Sequence, residues 1–153
     1  MKDINIESLL PHRRPFLFVD DIIFSTDEGS ESTYTFKEDE LFFAGHFPKQ
    51  PIVPGVILIE TMAQAGGAAL VHINKIGKDK LFFLASISKA KFKKMVFPNV
   101  QVRIKIKNLR VSQNMIRQEG TILIGEEVAA EAEWMCLVNN GVQNVSAFNI
   151  MEG

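Results

Sequence analysis

Residues 55–76 form one apolar stretch in which Val56, Ile57, Leu58, Ile59, Met62, Leu70 and Val71 alternate with alanines and leave almost no polar face. Pro54 and Gly55 at its start and Gly77 after its end are the boundary residues expected of a helix. Such a helix would be about 33 Å long at 1.5 Å per residue. A helix apolar on every side has to be buried on every side. A bilayer is one way to bury it, but the window 52–73 carries Glu60 near its centre together with Gln64 and His72. An acidic group at the bilayer midplane costs about 2.5–3.5 kcal/mol on the most lenient scale. No membrane span is therefore expected, and the helix needs a wrapper made from the rest of the chain.

That wrapper reads as a sheet. Residues 16–24 and 31–37 are strand candidates around a turn at 26–29, and 81–92, 100–109, 111–124 and 128–138 are four more. Within 100–109, Val102, Ile104 and Ile106 alternate with Arg103, Lys105 and Lys107, the period-two pattern of a half-buried strand. Residues 6–10 make a short helical turn capped by Asn5 and stopped by Pro11. Residues 38–54, with Gly45, Pro48, Pro51 and Pro54, read as an ordered loop. The order β-β-α-β-β-β-β predicts an α+β layer with one buried helix against a mostly antiparallel sheet. At 153 residues the chain suits a single domain over 1–153, ending in a tail at 140–153. A single sheet leaves an edge, so a dimer that extends the sheet is expected.

Composition excludes several classes. With 46 % apolar and 23 % charged residues the chain is neither disordered nor collagen-like. The single cysteine, Cys136, allows no intrachain disulfide and fits a reducing, cytoplasmic setting. The first residues have no basic stretch followed by an apolar core, so no signal peptide is expected. A net charge of −1 does not point to nucleic acid. No pair of His, Cys or acidic residues has metal-ligand spacing, so no metal is expected, and there is neither a P-loop nor a Rossmann glycine fingerprint.

The segment able to do chemistry is Phe42–Pro48 with Pro51–Glu60. It puts His46 on a loop stiffened by Gly45, Pro48, Pro51 and Pro54, and a carboxyl, Glu60, on the buried helix. Between them the helix start presents the N–H groups of Gly55 and Val56, which favour negative charge developing on a carbonyl oxygen. A neutral imidazole is a competent base near physiological pH. A carboxyl in apolar surroundings has a raised pKa and can act as an acid. Together these parts could remove a proton beside a carbonyl and expel a hydroxyl. Each has a plainer reading. A lone loop histidine is more often structural, whereas a lone glutamate on an apolar helix is costly without a purpose. His72, near the helix end, and His12, beside Pro11 and Arg13, read as structural. Gln64 lies one turn after Glu60 and could hold it, or could simply pack.

At these residues the sequence resembles the 3-hydroxyacyl-ACP dehydratases of FabZ type. The blocks are Leu10-Pro11-His12-Arg13-Arg14-Pro15-Phe16-Leu17, Gly45-His46-Phe47-Pro48, Pro54-Gly55-Val56 and Glu60-Thr61-Met62-Ala63-Gln64-Ala65, with a weaker echo at Lys91-Phe92-Lys93-Lys94, and the similarity runs over about 7–139. The resemblance implies a hotdog fold, a homodimer or trimer of dimers, and a site in which His46 of one subunit faces Glu60 of another. Phe47, Pro54, Gly55, Val56 and Gln64 would line the substrate. The substrate would be a (3R)-3-hydroxyacyl chain on the phosphopantetheine arm of acyl carrier protein, and the product trans-2-enoyl-ACP, with no cofactor. The setting would be fatty acid or related polyketide or polyene synthesis. Where the family usually has a Pro-Gly-Asp turn, this chain has Pro98-Asn99-Val100, and Asn is expected to keep the left-handed turn.

Lys91, Lys93 and Lys94, with Lys89 nearby, read either as a solvated strand end or as a docking patch for an acidic carrier protein. Phe42, Phe43, Phe47, Phe82, Phe83 and Phe92 pack the core or line an acyl tunnel. Two rival functions remain: a hotdog acyl-thioesterase using Glu60 to activate water, and a non-catalytic acyl-binding subunit.

Overall fold

The computed structural model describes residues 4–140. Most of the tail expected over 140–153 lies outside the described residues. One helix, α1 (Gly55–His72), packs against a six-stranded sheet built from β1 (Asp21–Ser25), β2 (Gly29–Thr35), β3 (Leu81–Phe92), β4 (Gln101–Val111), β5 (Met115–Ile124) and β6 (Glu127–Asn139). The strand order is β1-β2-β4-β5-β6-β3, and every pairing is antiparallel. α1 touches all six strands, so the sheet curls around it in the hotdog arrangement.

α1 is long and apolar enough to cross a membrane, yet 78 % of it is buried inside the protein. Met62, Ala65 and Ala68 have no solvent exposure. Each fully buried side chain of Leu or Met size contributes about 1.5–3 kcal/mol. The sheet supplies the matching inner face: Val102, Ile104, Ile116 and Ile122 are fully covered. In β4 the alternation read from sequence holds, with Val102, Ile104 and Ile106 inward and Lys105 and Lys107 outward. Helix and sheet meet closely at Gly66, where a Cβ would sit 2.2 Å from Gln118 Oε1. Gln118 is itself buried and donates to Gly66 O at 3.2 Å and Asn108 Oδ1 at 2.8 Å.

Several boundaries differ from expectation. The helix stops at His72 rather than at 76, because Asn74 takes a left-handed conformation (φ 63°). Asn74 N–H then donates to Val71 O (3.0 Å) and Lys75 N–H to Leu70 O (2.9 Å), the paired bonds of a Schellman ending. Gly77 is not needed for the stop. The first strand begins at Asp21 rather than at 16, because the backbone at Phe16 and Phe18 bonds to a side chain of α1 instead of to a neighbouring strand. The fifth strand begins at Met115 after a turn in which Ser112 and Met115 pair. Around Ile6–Ser8 the expected turn forms, and Asn5 Oδ1 accepts from Glu7 N–H. Asn99 is left-handed (φ 66°), as the Pro98-Asn99-Val100 reading required; its N–H donates to Phe36 O at 2.7 Å.

Candidate active site

His46 follows a short 3-10 turn, Leu41–Ala44, and its backbone is fixed on both sides. His46 N–H donates to Phe42 O (3.0 Å), and His46 O accepts from Ile52 N–H (3.0 Å). Val53 N–H donates to Val96 O (2.9 Å), which ties the loop to the segment after β3. The His46–Phe47 peptide is cis, and the two rings stack with centroids 4.2 Å apart. His46 Nδ1 lies 2.9 Å from Ile52 O. A carbonyl can only accept, so Nδ1 is a donor, and the neutral imidazole then has its lone pair on Nε2, the form a base requires.

His46 opens onto an apolar groove of about 800 Å³, walled by Phe47, Pro54, Gly55, Val56, Phe92 and Met95, with Lys93 and Lys94 at its rim. The start of α1 forms part of this wall. Pro54 provides no side-chain cap, and the N–H groups of Gly55 and Val56 find no acceptor among the described residues. Gly55 is required there: a Cβ would come within 2.9 Å of the Phe92 ring. Val56 is 73 % exposed, an apolar side chain left uncovered at the groove.

Glu60 sits one turn further along α1 in a different place. Its cleft is small, about 10 Å³, and is lined by Leu10, His12, Gln64, Phe82, Leu84 and Cys136. Burial raises the Glu60 pKa, and the hydrogen bond from Gln64 partly offsets this. Gln64 Nε2 donates to Glu60 Oε2 at 2.9 Å and to Phe16 O at 3.1 Å, while Gln64 Oε1 accepts from Phe18 N–H at 2.8 Å. The holding role considered for Gln64 is thus its actual geometry. Cys136 is buried beside them, and its thiol is pushed up to about 12 by burial, with a further push from the Glu60 charge.

Within one chain the His46 groove and the Glu60 cleft share no lining residue. The structure brings Phe47, Pro54, Gly55 and Val56 to His46, and Gln64 to Glu60. His12, read from the sequence as structural, lies with its Nε2 3.6 Å from Glu60 Oε2. The available signal was its place in the same block of residues as Pro11 and Arg13, but spacing along the chain gave no hint that this block packs on α1.

The lysines divide between two surfaces. Lys93 and Lys94 reach the His46 groove and pair with Glu131 (3.2 Å) and Glu127 (2.9 Å). Lys91 instead faces the outer side of the sheet with Lys89, Lys105 and Lys107. Among the aromatics, Phe43 is core and Phe42 packs against it, Phe47 and Phe92 line the groove, and Phe82 lines the Glu60 cleft. Among the described residues no group of three or more His, Cys, Asp or Glu could hold a metal ion.

A family model described as the FabA-like domain matches residues 10–133. The chain is 39 % identical over 137 residues to the 3-hydroxyacyl-[acyl-carrier-protein] dehydratase FabZ of Caldanaerobacter subterraneus subsp. tengcongensis, covering 88 % of this chain and 96 % of that protein. Among solved structures, the dehydratase heterocomplex ApeI:P from Xenorhabdus doucetiae superposes with a TM-score of 0.82 at 18 % identity, covering 97 % of this chain and 99 % of that one. Thioesterase HI1161 from Haemophilus influenzae gives 0.54 at 13 % identity, with 78 % of each chain covered. The two structural likenesses carry the fold alone.

Proposed function

Because the chain belongs to the FabZ family of 3-hydroxyacyl-ACP dehydratases, we propose that it removes water from a (3R)-3-hydroxyacyl thioester on acyl carrier protein, in the cytoplasm, to give the trans-2-enoyl thioester. The observation that carries this reading is the setting of the two candidate groups. His46 has its Nδ1 proton committed to Ile52 O and its Nε2 free, and Glu60 is held toward its acid form by burial. A base with a free lone pair and a carboxyl whose pKa burial raises are the two halves of an elimination.

The steps follow from these groups. The thioester carbonyl oxygen accepts hydrogen bonds from the unpaired N–H groups at Gly55 and Val56, which acidifies the adjacent carbon. His46 Nε2 takes the proton from that carbon. The electron pair left behind forms the carbon–carbon double bond and the bond to the hydroxyl breaks. Glu60 gives its proton to the departing oxygen, which leaves as water. The apolar groove of Phe47, Pro54, Val56 and Phe92 receives the acyl chain.

One chain keeps the two groups in separate cavities, so the reading includes a homodimer in which His46 works with Glu60 of a second copy. β3 supports this: it is a twelve-residue strand at the sheet edge, with Ile87 46 % exposed. A long strand at a sheet edge is a template for pairing with another copy. Lys93 and Lys94, at the mouth of the groove, are the docking candidates for the acidic carrier; Lys91 is the weaker candidate because it faces another surface.

Incubation with 3-hydroxybutyryl-ACP, following enoyl absorbance and free thiol together, tests the reading. Enoyl without thiol is expected. Free thiol points to a thioesterase, and neither product to an acyl-binding subunit. H46A is expected to lose about 10²–10⁴-fold in rate; full retention removes His46 from the mechanism.

A further inference from the structure

The hydrogen bonds around Gln64 fix which atoms carry protons. Phe18 N–H can only donate, so the Gln64 atom that meets it is the carbonyl oxygen. Gln64 Nε2 therefore carries the hydrogens, and it donates to Phe16 O and to Glu60 Oε2. Oε2 is thereby the accepting oxygen of Glu60, and a proton on this carboxyl belongs on Oε1. His12 Nε2 approaches the same oxygen, Oε2, at 3.6 Å. An atom facing an acceptor usefully must be a donor, so the matching tautomer has its proton on Nε2 and a bare lone pair on Nδ1. His12 Nδ1 is buried without a partner among the described residues, which suits a bare lone pair better than an orphaned N–H.

We infer that His12 is a positioning residue for Glu60: with Gln64 it keeps Oε2 as an acceptor, so that Oε1 presents the acidic proton to the leaving hydroxyl. The inference rests on Glu60 being the acid of the proposed dehydration. A separation of 3.6 Å exceeds a hydrogen bond, and such contacts commonly tighten when substrate closes the site.

The segment carrying His12 is built to hold that position. Arg13 Nη1 donates to Leu10 O (2.9 Å) and His12 O (2.6 Å), Arg13 Nη2 donates to Glu7 O (3.1 Å), and Arg13 Nε pairs with Glu7 at 3.3 Å. Further along, Phe16 and Phe18 are fixed to Gln64. Residues 10–18 thus grip the Glu60–Gln64 turn of α1 at three points. Burial, helped by the Arg13 charge, lowers the His12 pKa, which favours the neutral imidazole over a cation that would draw the proton off Glu60. Among the described residues the other elements lining the Glu60 cleft add no charge: β3 contributes Phe82 and Leu84, and β6 contributes Cys136, whose thiol is held protonated.

The test compares H12Q with H12N. Both are neutral and polar and both fill part of the site, but only Gln carries an amide nitrogen far enough from the backbone to replace Nε2. With 3-hydroxybutyryl-ACP, H12Q is expected to keep kcat within threefold of wild type. H12N is expected to lose at least tenfold in kcat with KM within threefold, and to move the alkaline limb of the kcat profile to higher pH, because the carboxylate loses a donor. Any other ordering overturns the inference: both variants slow, both fast, Asn faster than Gln, or an unmoved limb in H12N. E60Q in the same assay separates the two claims. If E60Q remains active the dehydration reading itself fails, whereas an inactive E60Q with H12Q and H12N alike overturns only the role of His12.

Discussion

Gln64 Nε2 donates to Glu60 Oε2 at 2.9 Å across one turn of α1, while the other end of the same amide receives Phe18 N–H. A single buried side chain thus serves both the candidate acid and the segment that covers it. This link makes a change at Gln64 readable in two independent quantities.

Replacing Gln64 by Leu leaves Phe18 N–H buried without its partner and frees Phe16 O, which is only part-buried. The expected loss is about 1–3 kcal/mol of stability for a stranded buried group, measurable by urea unfolding. Because the Gln64 bond pulls the Glu60 pKa down, its removal should also move the alkaline limb of activity to higher pH.

Glu60 itself links pH to stability. Its folded-state pKa lies above the ordinary value because of burial, so the folded chain holds this proton more tightly than the unfolded chain does. Below the ordinary carboxylate range both states are protonated and nothing is lost. As pH rises through the folded value, the native state must carry a buried carboxylate and loses stability. E60Q removes that penalty, so its melting temperature should exceed that of wild type by a wider margin at pH 8 than at pH 4. A margin that narrows with pH contradicts the assignment.

The composite site gives a stoichiometric outcome. H46A and E60Q subunits, each inactive alone, are expected to recover activity when unfolded and refolded together. A mixed dimer has one site with both substitutions and one with neither, so random pairing restores about one quarter of wild-type activity. No recovery, with mixed dimers verified by tagged pull-down, means that each site is built within one chain.

Charge at the groove mouth is testable by salt. Lys93 and Lys94 are partly neutralised by Glu131 and Glu127, which leaves a modest field. K93E/K94E should raise KM for the ACP substrate several-fold at low salt, with the difference shrinking as salt screens it. kcat should stay within twofold. An unchanged KM at low salt removes these residues from docking.

The sequence by itself determined the layers. A helix apolar on every face can only be buried, and the period-two strands around it supply the cover, so helix, sheet and their order are legible in the sequence. The His46 loop and the Glu60 position were equally legible, because prolines and an unpaired carboxyl on an apolar helix are local signals. Element ends were less so: Asn74 could stop the helix only by turning left-handed, a choice made by the bonds of Asn74 and Lys75 to Val71 and Leu70. What only tertiary structure decided was the company each side chain keeps. His12 lies forty-eight positions from Glu60 in the chain and meets it because residues 10–18 fold onto α1, bonding to Gln64 instead of pairing as a strand. The division of His46 and Glu60 into separate cavities is likewise a property of packing, since spacing along a chain carries no information about which wall of a helix a distant loop will cover.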